Sequence, residues 1–329
     1  MSNQKKALIT GLSGQDGSYL AEFLLGKGYK VYGTLRRHSV SEAQDLRVRN
    51  IKGIESFYAD LNDKGSLINI FRSVQPDEIY HTAAMSHVRV SFDIPEYTLQ
   101  TNIIGTFNVL EAMRQECPQA RLYFCGSSEQ FGNCVDLDGF QRETTPMFPV
   151  SPYGVSKLAG FHLCLNYRRA YNLFISTARC FNHESSRRGS NFVTAKIVKG
   201  AIEIKYSLQK NLVLGNLKSK RDWGHSKDYV RAMWMILNHH EPDDFVIATG
   251  QTYSIEEFCK TVFDKLGMDY KDYIMYNDKF TRPEELNYLR GDATKAKKIL
   301  GWEPKISFDE LIDDMIQYWD EKIKSGCLF

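Results

Sequence analysis

The sequence predicts an α/β fold: a Rossmann-type, doubly wound parallel sheet with a smaller, mainly helical C-terminal substrate-binding lobe. Two observations predict it. The first is a strand–turn–helix unit at the start, Lys6-Ala-Leu-Ile-Thr-Gly-Leu-Ser-Gly-Gln-Asp-Gly-Ser-Tyr-Leu20, with Gly11, Gly14 and Gly17 spaced as G-x-x-G-x-x-G. Glycines there permit a tight turn and bring backbone N–H groups close to a pyrophosphate at a helix N-terminus. That spacing alone is weak. Its position, after the apolar strand Ala7–Thr10 and before a helix carrying Leu20, Phe23 and Leu24, is the context the motif demands. The second observation is the alternation of short apolar strands with helical patterns that continues towards Cys180, the signature of a parallel sheet with ligands at its strand C-terminal ends.

The elements can be justified in order. A second strand covers 30–35. About 20 residues past the glycine turn, an NAD site carries Asp or Glu for the ribose hydroxyls. This chain has Arg36-Arg37-His38-Ser39 instead, which suits the 2′-phosphate of NADP, or else is an exposed basic loop. Strand 55–59, helix 65–73 and strand 78–82 follow, then the small residues Ala83-Ala84-Met85-Ser86, beside which a cofactor could pass. A long helix spanning 97–116 carries Ile103, Phe107, Leu110 and Met113 at helical spacing, a stripe for packing on the sheet. Strand 121–125 ends at Gly126-Ser127-Ser128-Glu129. A turn-rich loop, 133–149, leads to a helix opening at Ser151-Pro-Tyr153-Gly-Val-Ser-Lys157. Next come strand 173–180, the polar segment 181–189, helix 193–206 and strand 212–214. Lys218-Ser-Lys-Arg221-Asp-Trp-Gly-His225 precedes a mainly helical remainder, with Arg282-Pro-Glu-Glu285 in a loop. We expect residues 1–183 to form the dinucleotide domain, with 225–250 returning to it, and 184–224 and 251–329 to form the second lobe.

Composition narrows the function classes. A chain of 329 residues has ample material for a core, and a net charge of +2 gives no general case for nucleic acid or a membrane surface. No apolar run reaches the ~18 residues of a membrane span. The seven cysteines are scattered, without a C-x-x-C pair, which argues for a reducing compartment and against a zinc site. The first residues, Met1-Ser-Asn-Gln-Lys-Lys, lack the apolar core of a secretory leader, so a cytoplasmic location is expected. His81, His87, His162 and His225 show no ligand spacing, and no metal is expected.

Chemistry concentrates around Tyr153. Tyr153 and Lys157 share a helix face one turn apart. An ammonium beside a phenol favours the phenolate and brings a group of pKa ~10 towards neutrality, as removal of a proton from a sugar hydroxyl requires. Tyr206 with Lys210 and Tyr318 with Lys322 have the same spacing and read as helix surface. Glu129, two residues after Ser127, adds a carboxyl that could act first as base and then as acid in a sheltered site. The bland alternatives are a turn serine, a solvated loop acid and a surface pair. Arg221 and Arg282 are either surface charges or bidentate partners of a diphosphate.

The glycine turn, Ser127, Tyr153 and Lys157 together resemble the extended short-chain dehydrogenase/reductases. Within them, the segments 10–25, 74–80, 90–97, 181–185, 220–234 and 243–250 are similar to the GDP-mannose 4,6-dehydratases over almost the whole chain. The resemblance implies catalysis by Ser127, Glu129, Tyr153 and Lys157. It implies that NADP touches Gly11, Ser13, Gly14, Gln15, Asp16, Gly17, Arg36, Asp60, Leu61, Thr82, Ala83, Ala84, Ser86, Tyr97, Lys157, His183 and Arg188. A GDP-sugar would be held by Ser86, Glu129, Asn182, Val193, Lys196, Arg221, Arg282 and Glu285. It further implies a homodimer or homotetramer, with the loop after Arg36 helping to join subunits, and an internal oxidation, water loss and reduction that feed GDP-deoxysugar synthesis. Gln130-Phe131 stands where the family usually has Leu-Tyr. A dehydratase, epimerase or reductase acting on a related nucleotide sugar such as a GDP-heptose, and a non-catalytic NADP-sensing protein on the same fold, remain as alternative readings.

Overall fold

The protein is described by a computed structural model covering residues 4–37, 39, 45, 47–277 and 282–326. The loop 38–44, to which the resemblance assigns subunit contacts, lies outside the described residues except for Ser39. Strands β1 (Lys6–Thr10), β2 (Lys30–Leu35), β3 (Ile54–Tyr58), β4 (Glu78–His81), β5 (Arg121–Cys125), β6 (Phe174–Cys180) and, later in the chain, Asp244–Ile247 form one seven-stranded sheet. Every pairing in it is parallel, and the order runs from Asp244–Ile247 through β6, β5, β4, β1 and β2 to β3. The reversal of winding between β1 and β4 puts a crevice at the strand C-terminal ends. Central strands buried on both faces explain why Ala7–Ile9 and Leu122–Phe124 read as unbroken apolar runs.

Helices cover both faces. One face buries α1 (Gln15–Gly26); the other buries α2 (Lys64–Val74), α5 (Gly105–Glu116) and α6 (Pro152–Tyr171). Before α5 come α3 (Val88–Asp93) and α4 (Pro95–Leu99). The single helix expected over 97–116 is instead α4 joined to α5 by a π-helical turn, Gln100–Ile104. That turn aims Asn102 inward, where its amide brackets Met85: it accepts from the Met85 N–H at 2.8 Å and donates to the Met85 carbonyl at 3.0 Å. The helical stripe predicts a helix, but the extra residue of a π turn leaves no mark in it. At Gly160, helix α6 lies against the sheet so closely that a Cβ would stand 2.7 Å from the Phe124 ring.

The chain then crosses to the second lobe. It forms β7 (Asn182–Glu184), α7 (Val193–Lys205), β8 (Leu212–Leu214), β9 (Lys220–Arg221) and β10 (Trp223–His225). Helix α8 (Ser226–Leu237) and β11 (Asp244–Ile247) return to the sheet, where α8 packs beside α1. After them come β12 (Tyr253–Ser254), α9 (Ile255–Lys265), β13 (Ile274–Tyr276), α10 (Thr294–Leu300) and α11 (Phe308–Lys324). Helices α7, α9 and α11 share a separate core with Trp223, Phe258 and Phe263. Capping boxes at Ser254 with Glu257 and Ser307 with Glu310 set the starts of α9 and α11. The segment 294–302, grouped with the second lobe from sequence, packs on the sheet side: Ala296 and Trp302 join the core of Tyr229 and Phe245.

Trp302 is fully buried, and its indole N–H donates to the Asp228 carbonyl at 2.9 Å. Trp302→Ala should therefore cost about 3–5 kcal/mol of stability, read as a lower urea midpoint at constant slope.

Candidate active site

A cleft of about 1120 Å³ opens at the C-terminal ends of the strands, between the sheet and the second lobe. Every residue that the sequence singled out for catalysis, cofactor or substrate lines it.

The glycine turn forms one end. Gly11 has φ +74°, and a Cβ there would lie 2.8 Å from the Ala83 Cα. At Gly17 a Cβ would lie 2.3 Å from the Gly11 carbonyl oxygen. The chain turns from β1 into α1 only because these positions lack side chains. Gly14 caps α1 without a side-chain partner, so the helix N-terminus faces the cleft uncapped. This is a cradle suited to a pyrophosphate. Arg36 follows β2 at the cleft wall and donates to the Tyr97 hydroxyl. Asp60 and Leu61, just past β3, and Thr82 to Ser86, just past β4, continue the same wall. Thr82 donates to the Thr10 carbonyl at 2.7 Å, joining the ends of β1 and β4.

Asp16 in the first turn of α1 meets His183 on β7, with Oδ2 2.9 Å from Nε2. His183 Nδ1 stands 2.7 Å from the Phe181 carbonyl. One ring nitrogen facing a carboxylate and the other a carbonyl requires both to be donors, which is the imidazolium. Burial pushes His183 down, but the charge of Asp16 and its hydrogen bond outweigh this and hold it at about 9. The ring also stacks on Tyr229, 4.3 Å between centroids. Nearby, Arg188 lies 3.6 Å over the Phe192 ring, and its Nε is 2.9 Å from the Glu184 carboxylate.

The reacting groups gather in the middle. Ser127 ends the stretch after β5, and its Oγ accepts from the Glu129 N–H at 3.2 Å, starting a 3₁₀ turn over Ser128–Gln130. Ser151 caps α6 through the Gly154 N–H at 3.0 Å, with Pro152 in the first turn. Helix α6 thereby presents Tyr153 and Lys157 to the cleft. The Lys157 ammonium donates to the Cys125 carbonyl at 2.8 Å and lies 5.9 Å from the Tyr153 ring centroid. The sequence led us to expect a lowered phenol. Here burial dominates and drives Tyr153 upward, with the Ser127 hydroxyl opposing it. Burial likewise lowers Lys157. Each charge is costly alone, so the phenolate depends on opposite charge supplied within the cleft.

Glu129 is sheltered but not isolated. Arg282 Nη1 donates to its Oε1 at 3.1 Å, and the Ser151 hydroxyl approaches Oε2 at 3.4 Å. At the lobe end, Asn182 Oδ1 is buried with no hydrogen-bond partner among the described residues, and Lys196 donates to the Val213 carbonyl at 2.7 Å. Val193 and Glu285 complete this wall. Arg221 is buried, and burial, then the charge of Arg282, lowers it to about 10.

Two residues escaped the sequence reading. Gln130, fully buried, donates to the Lys157 carbonyl at 2.7 Å and so ties the Ser127–Glu129 turn to α6. Asp222 accepts from the N–H groups of Thr249, Gly250 and Gly291 and from the Thr249 hydroxyl, the last at 2.6 Å, anchoring the strand that carries Arg221. Burial lifts Asp222 to about 6 despite these bonds. A signal existed for each: Gln130 departs from the family pattern, and Asp222 sits inside the Lys-Arg-Asp-Trp-Gly-His run.

Residues 8–315 match the family described as GDP-mannose 4,6 dehydratase. "GDP-mannose 4,6 dehydratase 2" of Arabidopsis thaliana is 46% identical over 324 residues, covering 95% of this chain and 86% of that protein. Among solved structures, a Thermus thermophilus UDP-glucose 4-epimerase complexed with NAD superposes with a TM-score of 0.84 at 26% identity, covering 95% of this chain and 98% of the other. The fold is shared as well by RMD from Pseudomonas aeruginosa, complexed with NADPH: TM-score 0.80, 23% identity, 97% of this chain and 100% of that one.

Because His183 is held at about 9, above its unfolded value of ~6.5, its contribution to stability is full below ~6.5 and disappears as pH rises through 9. His183→Gln should thus lower Tm at pH 6, and the gap from the native chain should close at pH 9.5; a gap independent of pH would contradict the imidazolium.

Proposed function

The chain belongs to the GDP-mannose 4,6-dehydratase family, and from that premise we propose that it converts GDP-D-mannose to GDP-4-keto-6-deoxy-D-mannose and water for GDP-deoxysugar synthesis. The observation that carries the reading is the meeting of Ser127, Glu129, Tyr153 and Lys157 in one cleft, between a glycine-turn cradle and a pair of arginines. The glycine turn, Arg36 and Thr82 to Ser86 would hold NADP, whose nicotinamide would supply reversible hydride transfer between the sugar's C4 and C6. Arg36 favours NADP over NAD, since a guanidinium at the end of β2 suits a 2′-phosphate and a carboxylate there would not.

The chain's own groups handle the protons. Tyr153, as phenolate, takes the proton of the sugar's O4 while Ser127 orients that oxygen by a hydrogen bond. Lys157, pinned to the Cys125 carbonyl, supplies the positive charge that makes the phenolate tolerable in a buried site. The resulting C4 ketone acidifies C5–H. Glu129 removes that proton as base and delivers a proton to the leaving C6 hydroxyl as acid, so water departs. The proton held by Tyr153 finally goes to C5 as C6 is reduced, O4 stays a ketone, and each residue ends in its starting state. Arg221 and Arg282 offer the planar donor pairs that bind a diphosphate.

We take the enzyme to be a cytoplasmic homodimer or homotetramer. The scattered free cysteines, four of them buried in the two sheet-side cores, suit a reducing compartment.

Purified protein offered GDP-, UDP- and CDP-hexoses should turn over GDP-mannose. Deuterium placed at C4 should reappear at C6, with no net change in nicotinamide redox state. Glu129→Gln should reduce the rate of water loss by about 10²–10⁴ while leaving cofactor binding intact. Turnover undiminished in Glu129→Gln would remove the acid–base assignment. Arg36→Glu should raise KM for NADP and leave that for NAD little changed.

A further inference from the structure

Glu129, the proposed acid–base group, is gripped by a cation. Arg282 Nη1 donates to Glu129 Oε1 at 3.1 Å, and the Glu129 side chain is only 7% exposed. A carboxylate oxygen engaged by a guanidinium is not free to reach a proton of the substrate. The arginine is held at its root as well as at its head. Its backbone N–H donates to Glu285 Oε1 at 2.8 Å, and the Glu285 carbonyl accepts from Asn133 at 3.1 Å. The guanidinium is 22% exposed at the cleft wall, and its charge repels that of buried Arg221. Two neighbouring guanidiniums need anionic partners. The carboxylates of Glu129 and Glu285 lie beside them; a diphosphate offers more charge and bidentate oxygens.

We propose that Arg282 passes from Glu129 to the incoming diphosphate, so that the acid–base carboxylate is released only when a nucleoside diphosphate sugar is seated. Arg282 is thus a positioning residue as well as a binding one. The arrangement couples recognition at the diphosphate to chemistry at C5, and keeps the carboxylate engaged while the cleft holds only cofactor. This rests on the reading of Arg282 as a diphosphate ligand given above.

The test is a double-mutant cycle on GDP binding to the NADP-loaded protein, by titration calorimetry. If Glu129 competes for Arg282, Glu129→Gln should bind GDP about 5–10-fold more tightly than the native protein. Arg282→Met should bind GDP at least about tenfold more weakly. In the Arg282→Met background, Glu129→Gln should no longer tighten GDP binding. Removing a negative charge near a dianion would help binding whether or not Arg282 is present, so equal tightening in both backgrounds overturns the hand-over. Unchanged GDP affinity in Glu129→Gln overturns it as well. Unchanged GDP affinity in Arg282→Met instead removes the diphosphate reading on which the hand-over stands. Arg282→Lys, which keeps the charge and loses the fork, should show a smaller gain on adding Glu129→Gln, and stoichiometric NADP content checks that each variant is folded.

Discussion

The stitch between the end of β5 and helix α6 supports the rest of the site. Lys157 is held twice: its ammonium on the Cys125 carbonyl, and its own carbonyl by the buried Gln130 amide. At Gly154 a Cβ would lie 2.7 Å from the Glu129 carbonyl, so the helix can approach the turn only through a glycine. These contacts set the separation of Ser127 and Glu129, which leave the sheet, from Tyr153 and Lys157, which leave the helix. A proton-transfer site needs such groups held within hydrogen-bond reach of the same atoms. Here the constraint combines close backbone approach at Gly154 with two buried side-chain hydrogen bonds to backbone carbonyls.

Electrostatics in the cleft follow from its burial. Burial opposes charge on Tyr153, Lys157 and Arg221 alike. Two of the ion pairs in the cleft join distant parts of the chain. Asp16 from the first helix pairs with His183 from the crossing to the second lobe, and Glu129 from the turn after β5 pairs with Arg282 from the loop before α10. The cleft therefore ties the two lobes together by ion pairs that a phosphate-bearing ligand can re-partition, which is a sounder use of buried pairs than stability alone.

Much of the site was legible without coordinates. The glycine turn, the Ser127–Glu129 text and the Tyr153–Lys157 spacing are local patterns, each produced by neighbours in sequence, and the strands expected at 121–125, 173–180 and 212–214 fall within a residue of those bounds, whereas the short strands of 182–184, 220–225, 244–247, 253–254 and 274–276 were not foreseen. Less legible was anything that needs two distant segments. The π turn at 100–104 has no periodic signature, and the Asp222 anchor exists only because residues 249–250 and 291 converge on it. The raised phenol of Tyr153 depends on how deeply α6 is buried, which spacing along a helix does not report.

The sequence by itself determined the parallel sheet, the family and the kinds of group that reach the cleft, because periodicity, glycine placement and motif text are properties of contiguous residues. Tertiary structure alone decided which charges face each other. Asp16 is 167 residues from His183, and Glu129 is 153 residues from Arg282. Charge pairing in a buried cleft depends on distance in space and on the water excluded from between the partners, and neither quantity is written along the chain.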